Sequence, residues 1–214
     1  MLLRTLLILL MFGGQFAVAE SVPQPKILVV GDSLSVAYGV DRPDGWTALL
    51  QVKLNKEGYV YKVVNASISG DTTGGGLKRL PRALKVHQPE IVIIELGGND
   101  GLRAIPISTI QNNIAQMITL SETAGADVIL AGMQMPPNYG EAYTEAFANI
   151  YFELADEYGS ALIPFFLKNI ALNPSMMQSD MIHPTSDAQS LLLENTWDVL
   201  EPLLRAAPAT QAAN

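Results

Sequence analysis

The sequence predicts an α/β fold: a doubly wound, three-layer α/β/α sandwich around a five-stranded parallel sheet. Three observations carry this. Strand-like and helix-like segments alternate over ~170 residues, the order expected of a parallel sheet wrapped by helices. The strand-like segments are continuous apolar runs, not alternating ones, as in strands buried on both faces. The helix-like segments carry apolar stripes at helical spacing. Neither an internal repeat nor an interdomain linker interrupts the pattern, so one domain is expected.

Taken in order, Lys26-Ile27-Leu28-Val29-Val30 is the first strand and runs into Gly31. Trp46, Leu49, Leu50 and Leu54 form a helical stripe before Gly58, and Tyr61 to Asn65 is the second strand. Ala83 to Pro89 reads as a helix end leading into the third strand, Ile91 to Leu96. Ile107, Ile110, Ile114, Met117 and Ile118 share one face of the next helix. The fourth strand is Asp127 to Ala131, and Tyr143 and Phe147 lie on the helix that follows. Ala161-Leu162-Ile163-Pro164 is a shorter fifth strand, and Leu191, Leu192, Trp197 and Leu200 mark the last helix.

Residues 1–19 stand apart from this pattern. A single Arg4, an apolar run from Thr5 to Val18 and the Ala17-Val18-Ala19 cleavage signature are those of a secretory signal peptide. The run is too short for a bilayer, which needs ~20 apolar residues, and no cysteine is present to accept a lipid. Export is expected, to the periplasm or medium, with Glu20 as the new N-terminus. The domain is then 20–205, with 206–214 a frayed tail of Ala, Pro, Thr, Gln and Asn.

The remaining 195 residues (214 less 19) suffice for a substantial core. The absence of cysteine excludes disulfides, thiolate catalysis and thiolate zinc sites, and two histidines cannot build a histidine-rich metal centre. No metal or cofactor is expected. Loss of Arg4 leaves 12 basic against 21 acidic side chains, or −9, a charge that repels nucleic acid and anionic lipid surfaces. Neither nucleic-acid binding nor stable membrane insertion is expected, and a monomer is.

In doubly wound sheets ligands bind beyond the carboxyl ends of the strands. The polar motifs fall there: Ser33 after the first strand, Gly70 after the second, Asn99 after the third. In Gly31-Asp32-Ser33-Leu34-Ser35, either Asp32 or Ser33 could simply cap a helix. Alternatively Ser33 is a nucleophile, which needs an imidazole to take its proton and a carboxylate to orient that imidazole. His183, in Asp180-Met181-Ile182-His183, is the better of the two histidines; His87, at a helix end, suits a surface role. On a tight or helical turn the three-residue spacing puts Asp180 and His183 on one side. Asn99, in Gly97-Gly98-Asn99-Asp100, is either a turn residue or an amide donor to an oxyanion. Gly70 is either a flexible turn or a source of a backbone N–H where no side chain intrudes. The glycines at 74–76 hint at a phosphate loop, but Leu77-Lys78-Arg79 replaces the Lys-Ser/Thr ending, which argues against a nucleotide site.

These blocks, in this order, resemble those of the GDSL, or SGNH, hydrolase family across essentially the whole mature chain. Within it the sequence is most similar to the bacterial periplasmic TesA-type group, on Val63 to Thr72 and Leu96 to Arg103. The resemblance implies a flavodoxin-like SGNH hydrolase fold and a serine hydrolase acting through an acyl-enzyme on carboxylic esters, acyl thioesters or lysophospholipids. It implies Ser33, Asp180 and His183 as the triad, and Ser33 N–H, Gly70 N–H and the Asn99 amide as oxyanion hole. An SGNH-fold acyltransferase or carbohydrate deacetylase is the alternative, though no large insert or carbohydrate module is evident. A catalytically inactive binding protein would have no need of His183.

An acyl or lipid substrate calls for an apolar wall. Met133, Met135, Pro136 and Tyr139, after the fourth strand, supply one candidate, and Ile105 another. Ordinary core and loop cover is the competing role for the same residues. Acyl chain length cannot be ranked from sequence.

Overall fold

The computed structural model describes residues 24–205, so the expected signal segment 1–19 and tail 206–214 lie outside the described residues. Five strands form one sheet: β1 (Lys26–Gly31), β2 (Lys62–Asn65), β3 (Ile91–Glu95), β4 (Asp127–Ala131) and β5 (Ala161–Ile163). Their order is β2-β1-β3-β4-β5, with every neighbouring pair parallel. Parallel neighbours need crossovers, and helices supply them. The three-layer α/β/α sandwich predicted from sequence is the fold observed.

Helices α1 (Ser33–Val36) and α2 (Trp46–Lys56) follow β1, and α3 (Thr73–His87) follows β2. After β3 come α4 (Gly98–Leu102) and α5 (Ile107–Thr123), after β4 α6 (Glu141–Tyr158), and after β5 α7 (Gln189–Leu200). One outer layer packs α3 on α5 and α5 on α6; the other packs α2 on α7. The α2 stripe buries Trp46, Leu50 and Leu54 fully, with Trp46 edge-on to Phe166 at 5.5 Å between ring centroids. Leu49 is only half-buried, at the margin of the stripe. The Trp46 N–H donates to Gln189 Oε1 at 3.0 Å, which pins the start of α2 to the start of α7.

One expectation is corrected. Burial on both faces holds for β1, β3 and β4 but not for the sheet edges: in β2 Val63 and Val64 are half-buried, and in β5 Ala161 and Leu162 are too. An edge strand has a neighbour on one side only, so the outer layers cover it incompletely. The glycines at 74–76 belong to a helix and not to a loop. They form the first turn of α3, capped by Thr72 Oγ1, which accepts from the Gly75 N–H at 3.3 Å. Glycine is a poor helix former, but a Cβ at Gly76 would overlap the Leu96 side chain, so packing decides.

The chain leaves β1 for β2 on one side and reaches β3 on the other. The strand order therefore reverses beside β1, and a crevice opens between the loops after β1 and β3.

Candidate active site

β1 ends at Gly31, opposite Glu95, the last residue of β3. Asp32 caps the single turn of α1 by accepting from the Leu34 N–H at 3.0 Å. Ser33 is the first residue of that turn, so its N–H has no acceptor within the helix. Glu95 lies directly beneath: its Oε2 accepts from the Asp32 N–H at 3.2 Å and from the Ser35 hydroxyl at 2.6 Å. A Cβ at residue 31 would stand 2.5 Å from Glu95 Oε2 and 2.8 Å from Ser35 Oγ, so only glycine fits there.

Glu95 is wholly buried, and its Oε1 finds no partner. Burial, and then the neighbouring Asp32 charge, push its carboxyl well above the usual range. Asp32 is raised to about 6, again chiefly by burial, against donation from Leu34 and Asn99. Of the two, Asp32 holds the charge at neutral pH, because both of its oxygens accept N–H donors. Glu95 is pushed the harder toward its neutral form, because it is wholly buried and one of its oxygens meets no donor.

Asn99, the second residue of α4, donates Nδ2–H to Asp32 Oδ2 at 2.8 Å, which leaves its other amide hydrogen free of that contact. Beside it, buried Asp100 accepts from the Thr73 N–H at 2.8 Å and the Thr73 hydroxyl at 2.5 Å, tying α4 to the start of α3. Gly70 sits in a turn at φ +76°, and its carbonyl accepts from Arg103 at 3.1 Å.

The fourth component is a turn near the end of the chain, stapled by an antiparallel bridge between Met177 and Pro184. Asp180 Oδ1 accepts from the N–H groups of Ile182 and His183 at 2.9 and 3.0 Å. Its Oδ2 lies 2.7 Å from His183 Nδ1, and His183 Nε2 lies 2.9 Å from Ser33 Oγ. The ring hydrogen bond from His183, then the two backbone N–H donors, hold the Asp180 carboxyl down at about 2. A carboxylate, an imidazole and a hydroxyl in one hydrogen-bonded line are an arrangement able to move a proton from hydroxyl to ring.

Of the five residues singled out from sequence, Ser33, Asn99 and His183 line one crevice, Asp180 stands behind His183, and Gly70 is not among the lining residues. The crevice has a volume of about 430 Å³. Met133, Met135 and Pro136 lie along one wall of it. Tyr139 and Ile105 do not reach it. The Tyr139 hydroxyl turns to the Leu102 carbonyl at 3.5 Å, and the Ile105 carbonyl accepts from Tyr143 at 3.4 Å, so both support the loops behind the wall. The facing wall, which the sequence reading missed, comes from Phe165, Leu167, Leu172, Met177, Met181 and Ile182. Three of its residues, Leu172, Met181 and Ile182, are 97, 54 and 45% exposed, an apolar surface that sequence periodicity does not mark. A shallower depression of about 310 Å³ contains His87, away from all these groups, and the His87 carbonyl accepts from Lys26 at 2.8 Å.

Fold and site together define a hydrolase of carboxylic esters. The chain belongs to the GDSL-like lipase/acylhydrolase family, whose model matches residues 29–191. Esterase TesA of Pseudomonas aeruginosa is 53% identical over 178 residues, 83% of this chain and 89% of that protein. Thioesterase 1/protease 1/lysophospholipase L1 of Escherichia coli K12 is 43% identical over 178 residues, 83% of this chain and 84% of that one. A crystal structure of TesA superposes with a TM-score of 0.82 at 53% identity, covering 84% of this chain and 99% of that chain.

The upward push on the Glu95 carboxyl has a consequence for stability. Its folded pKa lies above the unfolded value, so its contribution is complete at low pH and declines as pH rises above the ordinary Glu pKa of about 4.3. Glu95→Gln keeps an acceptor for Asp32 and Ser35 but cannot lose a proton. Its urea midpoint should therefore fall less between pH 5 and pH 8 than that of the wild type. An equal fall in both proteins would show that Glu95 is ionised.

Proposed function

We propose that Ser33 is the nucleophile, His183 the general base and acid, and Asp180 the residue that orients His183. Support comes chiefly from the unbroken contact line Asp180 Oδ2–His183 Nδ1 at 2.7 Å and His183 Nε2–Ser33 Oγ at 2.9 Å. Ser33 Oγ attacks the ester carbonyl carbon as its proton passes to Nε2. The imidazolium so formed is stabilised by Asp180, which stays ionised well below neutral pH because its carboxyl is held at about 2. The carbonyl oxygen becomes an oxyanion, met by the N–H groups of Ser33 and Gly70 and by the free Asn99 amide hydrogen. Collapse breaks the ester C–O bond, and His183 returns the proton to the departing alkoxide. Water then attacks the acyl-enzyme with His183 again as base, releasing the carboxylic acid and Ser33.

The acyl group lies between the Met133–Pro136 wall and the Phe165–Ile182 wall. Apolar walls of methionine and leucine suit an alkyl chain better than a carbohydrate, which favours ester hydrolysis over deacetylation of a sugar. By analogy with the relative named thioesterase and lysophospholipase, acyl thioesters and lysophospholipids are further substrates. Residues 1–19 act as a signal peptide and 20–205 as the exported domain, released to the periplasm with Glu20 as its N-terminus. Among the described residues no helix is long and apolar enough to cross a membrane.

Ser33→Ala and His183→Ala should fold and lose hydrolysis of nitrophenyl acyl esters, and neither should be labelled normally by a fluorophosphonate. Full labelling of Ser33→Ala would place the nucleophile elsewhere. Asp180→Asn should impair hydrolysis less severely, since it disturbs orientation and removes no reacting group. Asn99→Ala should lower kcat roughly 10²–10³-fold with KM little changed, the effect of losing one oxyanion donor. A raised KM with intact kcat would make Asn99 a substrate-binding group.

Met135→Ala and Leu167→Ala should tilt preference among acyl chain lengths, by ~1–3 kcal/mol per methylene contact at most. Uniform scaling across chain lengths would remove these walls from the acyl path.

A further inference from the structure

The proposed triad joins two segments from opposite ends of the chain, and the contact between Ser33 and His183 is too slight to hold them in place. We infer that Gln178 is a positioning residue for the reaction: its carboxamide clamps the turn bearing His183 to the segment after Ser33 and so sets the Nε2–Oγ gap. The inference rests on the proposed roles of Ser33 and His183.

Gln178 Nε2 donates to the Tyr38 carbonyl at 2.7 Å and to the Pro184 carbonyl at 2.9 Å. Its backbone completes the turn: the N–H donates to the His183 carbonyl at 2.7 Å, and its carbonyl accepts from the Met181 N–H at 2.9 Å. At the other end, the Tyr38 N–H donates to the Ser33 carbonyl at 3.0 Å, so Tyr38 is fixed to the nucleophile turn. The Tyr38 ring also packs against the His183 ring, with centroids 4.6 Å apart.

Among the described residues, Gln178–Tyr38 is the only hydrogen bond besides Ser33–His183 itself that joins residues 33–40 to residues 176–185. The chemistry explains the residue type. A primary amide has two hydrogens on one nitrogen, and here each meets a carbonyl from a different segment. Gly39 makes room: it sits at φ +73°, and a Cβ there would overlap the Gln178 carboxamide.

Displacement of a reacting group by about 1 Å can cost ~10²-fold in rate. Gln178→Ala should therefore lower kcat roughly 10- to 100-fold per fluorophosphonate-titrated site, with KM within about twofold, and slow fluorophosphonate labelling by the same factor. Gln178→Glu, which turns a carboxylate toward two carbonyls, should be no better than Gln178→Ala at neutral pH. Gly39→Ala is strained at φ +73° in either background, but it should lower kcat more in the wild type, where its Cβ also displaces the carboxamide, than in Gln178→Ala. A lowered melting temperature with unchanged kcat per titrated site in both Gln178 variants would overturn the inference. So would a raised KM with intact kcat, or a Gly39→Ala effect of equal size in both backgrounds. Should Ser33→Ala remain active, the triad assignment fails instead, and that control separates the two cases.

Discussion

The β1–β3 register sets Gly31 against Glu95, and from this pairing the geometry of the nucleophile turn follows. A one-residue slip would turn the Glu95 side chain to the opposite face of the sheet and leave the Asp32 N–H and Ser35 hydroxyl without their acceptor. Burying a carboxyl beneath a turn is costly unless it is neutral or paired. Here burial drives it toward the neutral form, it accepts two hydrogen bonds on one oxygen, and it still leaves Oε1 unpartnered. So tight a fit explains why residue 31 has no side chain.

Hydrogen bonds lock the remaining loops to this pair. Asn99 reaches Asp32, Asp100 holds Thr73, and Arg103 holds the Gly70 carbonyl. Arg79 on α3 donates to Asp71 at 2.7 Å and to the Gly31 carbonyl at 3.1 Å, and also to the Ala66 carbonyl, gathering the ends of β1 and β2. The turn carrying Asp180 and His183 differs in kind. It is open to solvent, with the Asp180 side chain 39% exposed, and is held by its own backbone bonds and by Gln178. The rigid part of the site belongs to the sheet; the proton-handling part is docked onto it.

Much of this was legible in the sequence, for physical reasons that also set the limit. Ile27 to Val30 and Ile91 to Ile94 are apolar without a break because helices cover both faces of the central strands, and the strand ends then locate Ser33 and Asn99. At the edges the same rule overreached, since Lys62 is exposed and Val63 and Val64 are only half-buried. Glu95 lies inside the run Ile91 to Leu96: nothing local marks a carboxyl whose burial depends on a partner 60 residues away. The wall from Phe165 to Ile182 has neither helical nor strand period and follows a strand of only three residues, so only tertiary structure brings it to the crevice. Tyr139 was misplaced because a two-proline loop fixes no direction for the ring after it.

One electrostatic tension remains in the arrangement. Asp32 fixes the Asn99 amide by accepting one of its hydrogens, yet the charge that makes it a good acceptor would disfavour an oxyanion at the other hydrogen. A second ionised carboxyl beneath it would double that opposition. A proton kept on Glu95, the form its burial favours, confines the negative charge to Asp32, whose two oxygens are both engaged by N–H donors. In that form Asn99 is oriented by a single, partly neutralised charge, and Glu95 supports the turn without adding another.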